Sequence, residues 1–291
     1  MIGILSAIGA SLSWTYACFI WRSQTNHNRP LDINLIKNLF AFIFFSPILF
    51  TLKDFIQYKF IILLLLSGVI GIGIGDSFYL KSLKLIGTRK TLSIEALSPI
   101  LAAFSGGIFI NENLSIKSLI GIIIVSISFI SILKYKNNLL DENSNFSNIN
   151  FSFRNYIFSF LSIFCAVVGA VISRYVFLET NLNPLQTTEL RLLGSLIFLI
   201  IISRFKINFF IKNLNSNEKN KFIISILLGT NIGIYLQQLV FQNLPLGIGW
   251  TILSTSPIFS LFLAKREEGE LSKETITFTI FLFFGISLII L

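Results

Sequence analysis

The segment GIGIGDSFYLKSLKLIGTRKTLSIEALSPILAAF, Gly71 to Phe104, decides how the rest of the chain is interpreted. It consists of two apolar runs joined by a short basic turn, residues 87–90. Each run holds one carboxylate, Asp76 in the first and Glu95 in the second. A charged side chain is costly to place at bilayer depth, so it usually faces protein or water and marks a functional site. Both carboxylates are therefore candidate site residues.

The composition identifies the class of protein. Of the 291 residues, 54% are hydrophobic and only 13% are charged, with a mean hydropathy of +0.79. This excludes an ordinary soluble domain and predicts a polytopic membrane protein. The apolar runs are continuous rather than alternating, which favours helices over a β-barrel. The net charge of +9 lies mainly between the apolar runs, which fits orientation in a lipid bilayer rather than nucleic-acid binding.

The cysteines and the single histidine predict no metal site and no cofactor. Cys18 and Cys165 fall inside apolar segments, so no disulfide framework is expected. His27 stands alone in a polar turn. The first segment lacks a basic leader and a cleavage pattern and is expected to be a retained span.

About 20 apolar residues cross a bilayer as a helix, and the chain contains ten such runs. Their approximate bounds are residues 2–21, 33–52, 60–80, 91–110, 118–133, 155–173, 185–203, 222–241, 248–264 and 275–291. The polar, Asn-rich residues 134–154 are predicted to link two halves, 1–133 and 155–291. The fold prediction is an all-α membrane protein with ten transmembrane helices.

The two halves contain the same elements in the same order. In each half a proline precedes, by seven residues, a cation that opens an apolar span: Pro30 with Lys37, and Pro184 with Arg191. Each half also has a Ser-Pro-Ile motif, at residues 98–100 and 256–258, followed by an acidic turn. Because five spans is an odd number, the repeats are predicted to be inverted, as in many secondary transporters.

These features resemble the drug/metabolite transporter superfamily, and within it the EamA-type members with two five-helix repeats. The residues that carry the resemblance are GDSFYLKSLKLIGTRK, LSPILAAF and NENLS in the first half and NLPLGIGW, STSPIFSLF and EEGELS in the second. The second acidic turn is longer and richer in glutamate than the first. The resemblance covers essentially the whole chain. It implies a carrier whose central cavity is lined mainly by the third, fourth, eighth and ninth spans, and which exports amino acids, nucleobases or other small metabolites, often by proton coupling or exchange.

Helical spacing places Asp76 and Tyr79 on one face of the third span, and Glu95 and Ser98 on one face of the fourth. We interpret all four as lining the cavity, where the carboxylates bind substrate or a proton. A partly dry cavity disfavours the charged form of a carboxylate, which makes Glu95 the candidate for proton coupling. The alternative for either carboxylate is a structural ion pair with a nearby cation, namely Lys81, Lys84, Arg89 or Lys90.

The eighth span carries a polar stripe on one face, Asn231, Tyr235, Gln238 and Gln242. We interpret Asn231, Tyr235 and Gln238 as a cavity wall facing Glu95, with helix–helix packing as the alternative. In the ninth span, Trp250 and Ser254 extend the predicted wall, although interfacial anchoring is the commoner role of such a tryptophan.

Two prolines and two cations complete the candidates. Pro99 and Pro257 are predicted to kink their spans and act as hinges. Lys37 and Arg191 are predicted to extend towards the membrane interface rather than bind a ligand.

The loops after odd-numbered spans hold 17 Lys and Arg, against 3 in the other loops. This predicts both termini outside the cytoplasm, whereas the resemblance implies both termini inside.

The functional prediction is a secondary active transporter, an exporter or permease, that moves small metabolites such as amino acids by alternating access. The expected setting is a prokaryotic plasma membrane, with the protein a monomer or homodimer. A channel or a lipid-type flippase remains the alternative. An intramembrane enzyme is disfavoured because no nucleophile–base or metal constellation is present.

Overall fold

The computed structural model describes residues 1–52, 57–95, 97–143 and 153–256, with 259, 277, 281, 284–286 and 288. Eleven α-helices are defined in these residues. They are α1 Ile2–Thr25, α2 Pro30–Phe45, α3 Tyr58–Gly68, α4 Asp76–Glu95, α5 Ser98–Phe109, α6 Ile116–Asn143, α7 Phe153–Glu179, α8 Pro184–Ile202, α9 Ser216–Ser225, α10 Gly233–Asn243 and α11 Leu246–Leu253. Two π-helical segments, Val69–Gly75 and Ile226–Ile232, and two short 3-10 helices, Ser46–Thr51 and Phe210–Asn213, lie between them.

The prediction of an all-α membrane fold is confirmed. Within the described residues, six helical stretches are long and apolar enough to cross a membrane, and two shorter apolar helices accompany them. The six are Ile2–Thr25, Pro30–Thr51, Tyr58–Thr88, Tyr156–Glu179, Pro184–Ile202 and Ser216–Asn243. Most of the predicted tenth span lies outside the described residues, so the count of ten stays a prediction.

The predicted linker and the bounds of the two halves stay a prediction. Helix α6 continues to Asn143, well into the residues predicted as linker, and α7 begins at Phe153. Residues 134–143 include Lys, Leu and Glu, which are good helix formers, so a polar composition here does not end the helix.

The third and eighth spans are each built from an α-helix, a π segment and a second α-helix. The first π segment reads VIGIGIG, and its three glycines weaken α-helical geometry. The second reads ILLGTNI. Segments of π-helix are rare and frequently mark functional sites. Here they end directly before Asp76 and Gly233.

Close backbone contact joins α3 to α8. A Cβ added to Gly68 would overlap the Arg191 carbonyl oxygen, and one added to Gly194 would overlap the Leu65 carbonyl oxygen. Small residues permit such approach between membrane helices. The contact holds Arg191 beside the first π segment.

The hairpin between the third and fourth spans turns at Gly87. Its φ of 83° interrupts the helical geometry inside α4, and this left-handed conformation favours glycine. The guanidinium group of Arg22, at the end of α1, lies against this turn.

The buried core mixes residues of both halves. One cluster combines Leu35 of α2 and Leu80 of α4 with Leu192 of α8 and Phe222 of α9. A second combines Ala102 of α5 with Val240 of α10. The halves therefore interlock and enclose the site between them. Large apolar side chains such as Phe44 are exposed on the outside, as lipid contact requires.

Candidate transport site

A cavity lies between α1, the first π segment, α4, α7, α10 and α11. It contains about 870 Å³ of space free of protein atoms, including its mouth. The side chains and glycines that form its wall are Ala10, Ser11, Trp14, Gly71, Ile72, Gly75, Asp76, Tyr79, Glu95, Ser98, Ser162, Ile163, Ala166, Arg191, Gly233, Ile234, Gln237, Trp250, Leu253, Ser254 and Ser256. Six of the nine predicted site residues are on this wall: Asp76, Tyr79, Glu95, Ser98, Trp250 and Ser254.

The predicted polar stripe of the eighth span does not line this cavity. Asn231 is buried, and its Nδ2 donates to the Ala41 carbonyl oxygen at 3.1 Å. Gln238 is also buried, without a hydrogen-bond partner in the described part of the chain. Tyr235 is half-buried and absent from the wall, which Gln237 joins instead. Asn231 lies in the second π segment, so it does not share a regular 3.6-residue register with Tyr235 and Gln238 of α10.

Asp76 is ion-paired with Lys37. The Lys37 side chain is fully buried, with its Nζ 5.0 Å from the centroid of the Trp21 ring. Two predictions are therefore wrong: Lys37 does not extend to the membrane interface, and the partner of Asp76 is neither Lys81 nor Lys84. A cation from a different helix can reach Asp76 because α2 packs against α4.

The amide of Asn34 adds hydrogen bonds to two carbonyl groups of the first π segment. Its Nδ2 donates to the Ile72 and Gly73 carbonyl oxygens at 3.0 and 3.1 Å, and it lies 2.9 Å from Ser77 Oγ. Buried carbonyl groups need such partners in a membrane. Asn34 thus stabilises the irregular segment that precedes Asp76.

Arg191 lies on the cavity wall with only 2% of its surface exposed. The prediction that it extends to the interface is wrong, because the contact between α3 and α8 holds it inside the bundle. Among the described residues, none accepts a hydrogen bond from its Nε or Nη1. A Cβ at Gly71 would lie 3.0 Å from its Nη2, and one at Gly169 3.3 Å away. The two glycines therefore leave the guanidinium group its space.

Glu95 lies where the fourth span is interrupted, between α4 and α5. Ser98 Oγ donates to the Glu95 carbonyl oxygen. Ser98 Oγ is also 3.2 Å from Ser254 Oγ, at the end of α11, so the interruptions of the fourth and ninth spans meet here. Within the described residues, the Glu95 carboxylate has no hydrogen bond or ion pair.

Further hydroxyl groups join α1 to the ninth span. Ser11 Oγ is 3.0 Å from both Thr255 Oγ1 and Ser256 Oγ, and Thr15 Oγ1 donates to the Ser256 carbonyl oxygen at 3.1 Å. These hydrogen bonds supplement the apolar packing of α1 against α11.

The hinge predictions have different outcomes. Pro99 lies in the first turn of α5, where its missing N–H is not needed for a helical hydrogen bond. The fourth span is therefore interrupted before Pro99 rather than kinked at it. Pro257 lies outside the described residues.

Tyr79 is anchored from α1. Its hydroxyl group accepts from Trp14 Nε1 at 3.3 Å and lies 3.0 Å from Cys18 Sγ. This network fixes one wall of the cavity. Cys18 and Cys165 are both free thiols.

The sequence analysis did not identify the structural roles of five charged residues. Lys37 and Arg191 were assigned to the interface, and the Glu112–Arg174 pair was not predicted. Glu189 is fully buried, and neither of its carboxylate oxygens has a partner among the described residues. The signal was available for Glu189, because a carboxylate within an apolar span is a candidate by itself. The described residues contain no cluster of three His, Cys, Asp or Glu that could hold a metal ion.

A bundle of apolar helices that encloses a charged cavity defines a membrane transport protein. The chain belongs to the EamA-like transporter family, whose model matches residues 1–134 and 154–291. It is therefore a multi-pass member of a transporter family rather than an enzyme, which confirms the predicted family and class.

Two individual similarities accompany the family match. An "Uncharacterized transporter" of Archaeoglobus fulgidus is 25% identical over 132 residues, which cover 44% of this chain and 47% of that protein. The chain thus spans about half the length of this curated relative. A crystal structure described only as that of a protein superposes with a TM-score of 0.70 at 15% identity, covering 98% of this chain and 95% of the other. The second similarity concerns the fold alone.

Proposed function

We propose that the protein is a secondary active transporter that moves small polar metabolites, such as amino acids or related solutes, by alternating access. The observation that carries this proposal is the position of Glu95. Its carboxylate has no partner in the described part of the chain, and it lies on the cavity wall where two interrupted spans meet. Binding sites of secondary transporters are typically formed at such interruptions.

Proton coupling follows from the same position. The Glu95 carboxylate has no hydrogen bond or ion pair in the part of the chain that the structure describes, so it is free to take up a proton. Glu95 is then able to hold a proton in one state of the carrier and release it when the cavity opens to water. Asp76 is less suited to this role, because it is already ion-paired with Lys37.

The contacts around the interruptions support a conformational cycle. Ser98 and Ser254 join the two interruptions by one hydroxyl contact of 3.2 Å. A single neutral hydrogen bond contributes about 1 kcal/mol, so this contact can break at low cost. Alternating access also requires α5 and α11, which pack against each other, to shift.

Transport into proteoliposomes tests the proposal. The purified full-length protein is reconstituted, and uptake of a panel of radiolabelled amino acids and nucleobases is measured with and without a pH gradient. We expect accumulation above the equilibrium level for at least one solute, driven by the gradient. Uptake that only equilibrates and never saturates would indicate a channel. Transfer of labelled lipid between leaflets, with no solute uptake, would indicate a flippase.

A further inference from the structure

We propose that Arg191, together with the open space at Gly233, forms a binding subsite for a carboxylate group of the transported solute. This inference rests on the proposed transport function and adds a chemical class to it. The solute would be an amino acid or another small organic acid with a free carboxylate.

The state of Arg191 is the first observation. Arg191 is 98% buried and lies on the cavity wall, and its Nε and Nη1 have no acceptors in the described residues. A buried charge without a hydrogen-bond partner is strongly unfavourable. The guanidinium fork matches a carboxylate in two parallel hydrogen bonds, and Arg is the usual residue for this recognition.

Neither carboxylate of this wall is paired with Arg191 in the described part of the chain. Asp76 is ion-paired with Lys37. Glu95 lies at the helix interruptions and forms no ion pair with Arg191. A carboxylate that enters the cavity with the solute would give Arg191 a partner.

A comparison of the two halves shows where that anionic group belongs. Lys37 and Arg191 occupy corresponding positions, seven residues after Pro30 and Pro184. In the first half, the residue directly after the π segment is Asp76, and it neutralises Lys37. In the second half the residue at this place is Gly233. The second cation thus has no internal carboxylate at the corresponding position.

The space left by Gly233 is accessible. Gly233 is on the cavity wall, and α10 packs against α8, which carries Arg191. A Cβ built on Gly233 would meet one heavy atom beyond its own turn within 4 Å, the Leu228 carbonyl oxygen at 3.2 Å. A solute carboxylate can therefore take the place that the Asp76 side chain has in the first half.

A double-mutant cycle tests the geometry without any substrate. Gly233→Asp supplies the missing carboxylate, and Gly233→Asn is the uncharged control of equal size. We expect Gly233→Asp to raise the Tm of the purified protein by several degrees relative to Gly233→Asn. In the Arg191→Gln background this difference should disappear. An equal effect of Gly233→Asp in both backgrounds would overturn the proposal.

A binding experiment tests the ligand class. Quenching of tryptophan fluorescence measures the binding affinity of small solutes for the full-length protein. The solutes are the twenty L-amino acids and the straight-chain acids from acetate to hexanoate, each compared with its carboxamide. We expect carboxylates to bind at least tenfold more tightly than the matched amides. This preference should be lost in Arg191→Gln and in Gly233→Asp, partly retained in Arg191→Lys and unchanged in Lys219→Gln, an exposed control.

The two proposals fail in different ways. Amides that bind the wild-type protein as tightly as acids would overturn the subsite, and this comparison needs no variant to fold. Gradient-driven uptake of a solute without a carboxylate would also overturn the subsite, but it would support the proposed transport function. Coupling between Gly233→Asp and Arg191, with no uptake of any solute, would support the subsite and contradict secondary active transport.

Discussion

Glu112 and Arg174 form an ion pair, with Oε1 and Nε 2.8 Å apart, that fastens the first half to the turn between the eighth and ninth spans. Arg174 Nη1 also donates to the carbonyl oxygens of Phe241 and Gln242, each at 2.9 Å. Glu112 Oε2 accepts from the Leu246 N–H at 2.7 Å. The pair thus satisfies the C-terminal end of α10 and the N-terminal end of α11 together.

Removing one member of this pair should destabilise the protein. Both side chains are largely buried, at 12% and 10% exposure, and breaking a buried pair costs about 3–5 kcal/mol, somewhat less where water has partial access. We expect Arg174→Gln and Glu112→Gln each to lower the Tm in detergent by several degrees. The decrease in Tm of the double variant should be smaller than the sum of the decreases of the two single variants. Strictly additive decreases would show that the two residues act independently.

Glu95→Gln should abolish gradient-driven uptake and leave exchange transport in place. The amide keeps the shape of the side chain but cannot carry a proton, so coupling fails while the solute site persists. Uptake with a pH gradient and counterflow without one are measured on the same liposomes. Full accumulation by Glu95→Gln would show that another group carries the proton, and Glu189 would be the next residue to test.

Asp76→Asn should lower the yield of folded protein rather than the transport rate per molecule. The substitution leaves the fully buried Lys37 without its counter-charge, which is costly in the interior. Removing the cation as well, in Lys37→Met/Asp76→Asn, should recover much of the yield. Fluorescence-detected size exclusion measures the yield of folded protein for both variants. A double variant that folds no better than Asp76→Asn would contradict the assigned pairing.

Gly68→Ala should disrupt the contact between α3 and α8. The added methyl group would overlap the Arg191 carbonyl oxygen, and backbone on both sides leaves little room for adjustment. We expect a large loss of folded protein, measured by the recovery of monodisperse material. Gly107→Ala is the matched control, because its Cβ would find only the Glu112 carbonyl oxygen, at 3.8 Å. Equal recovery of the two variants would contradict this account.

The orientation in the membrane is a prediction from charge. With 17 Lys and Arg in the loops after odd-numbered spans and 3 in the others, both termini should lie outside the cytoplasm. A reporter that is active only outside the cytoplasm should therefore work when fused at Leu291. Activity of a cytoplasm-only reporter at the same position would show the opposite orientation, which is the one implied by the resemblance.

The sequence by itself determined the class of fold and predicted part of the wall of the candidate site. Continuous apolar runs can satisfy their backbone groups in lipid only as helices, so composition and run length were sufficient for an all-α membrane protein. The carboxylates within the third and fourth spans identified Asp76 and Glu95 for the same reason, because charge at bilayer depth needs a protein or water environment. Tyr79 and Ser98 followed from regular helical spacing near these two residues.

Only the tertiary structure decided which groups meet. The pairing of Lys37 with Asp76 and the burial of Arg191 depend on contacts between helices distant in sequence, and no local spacing encodes them. The stripe Asn231, Tyr235 and Gln238 was defined by regular helical spacing, and the π segment that contains Asn231 departs from that spacing. Spacing along a chain predicts a face of a regular helix, whereas the rotation of that helix is set by its neighbours.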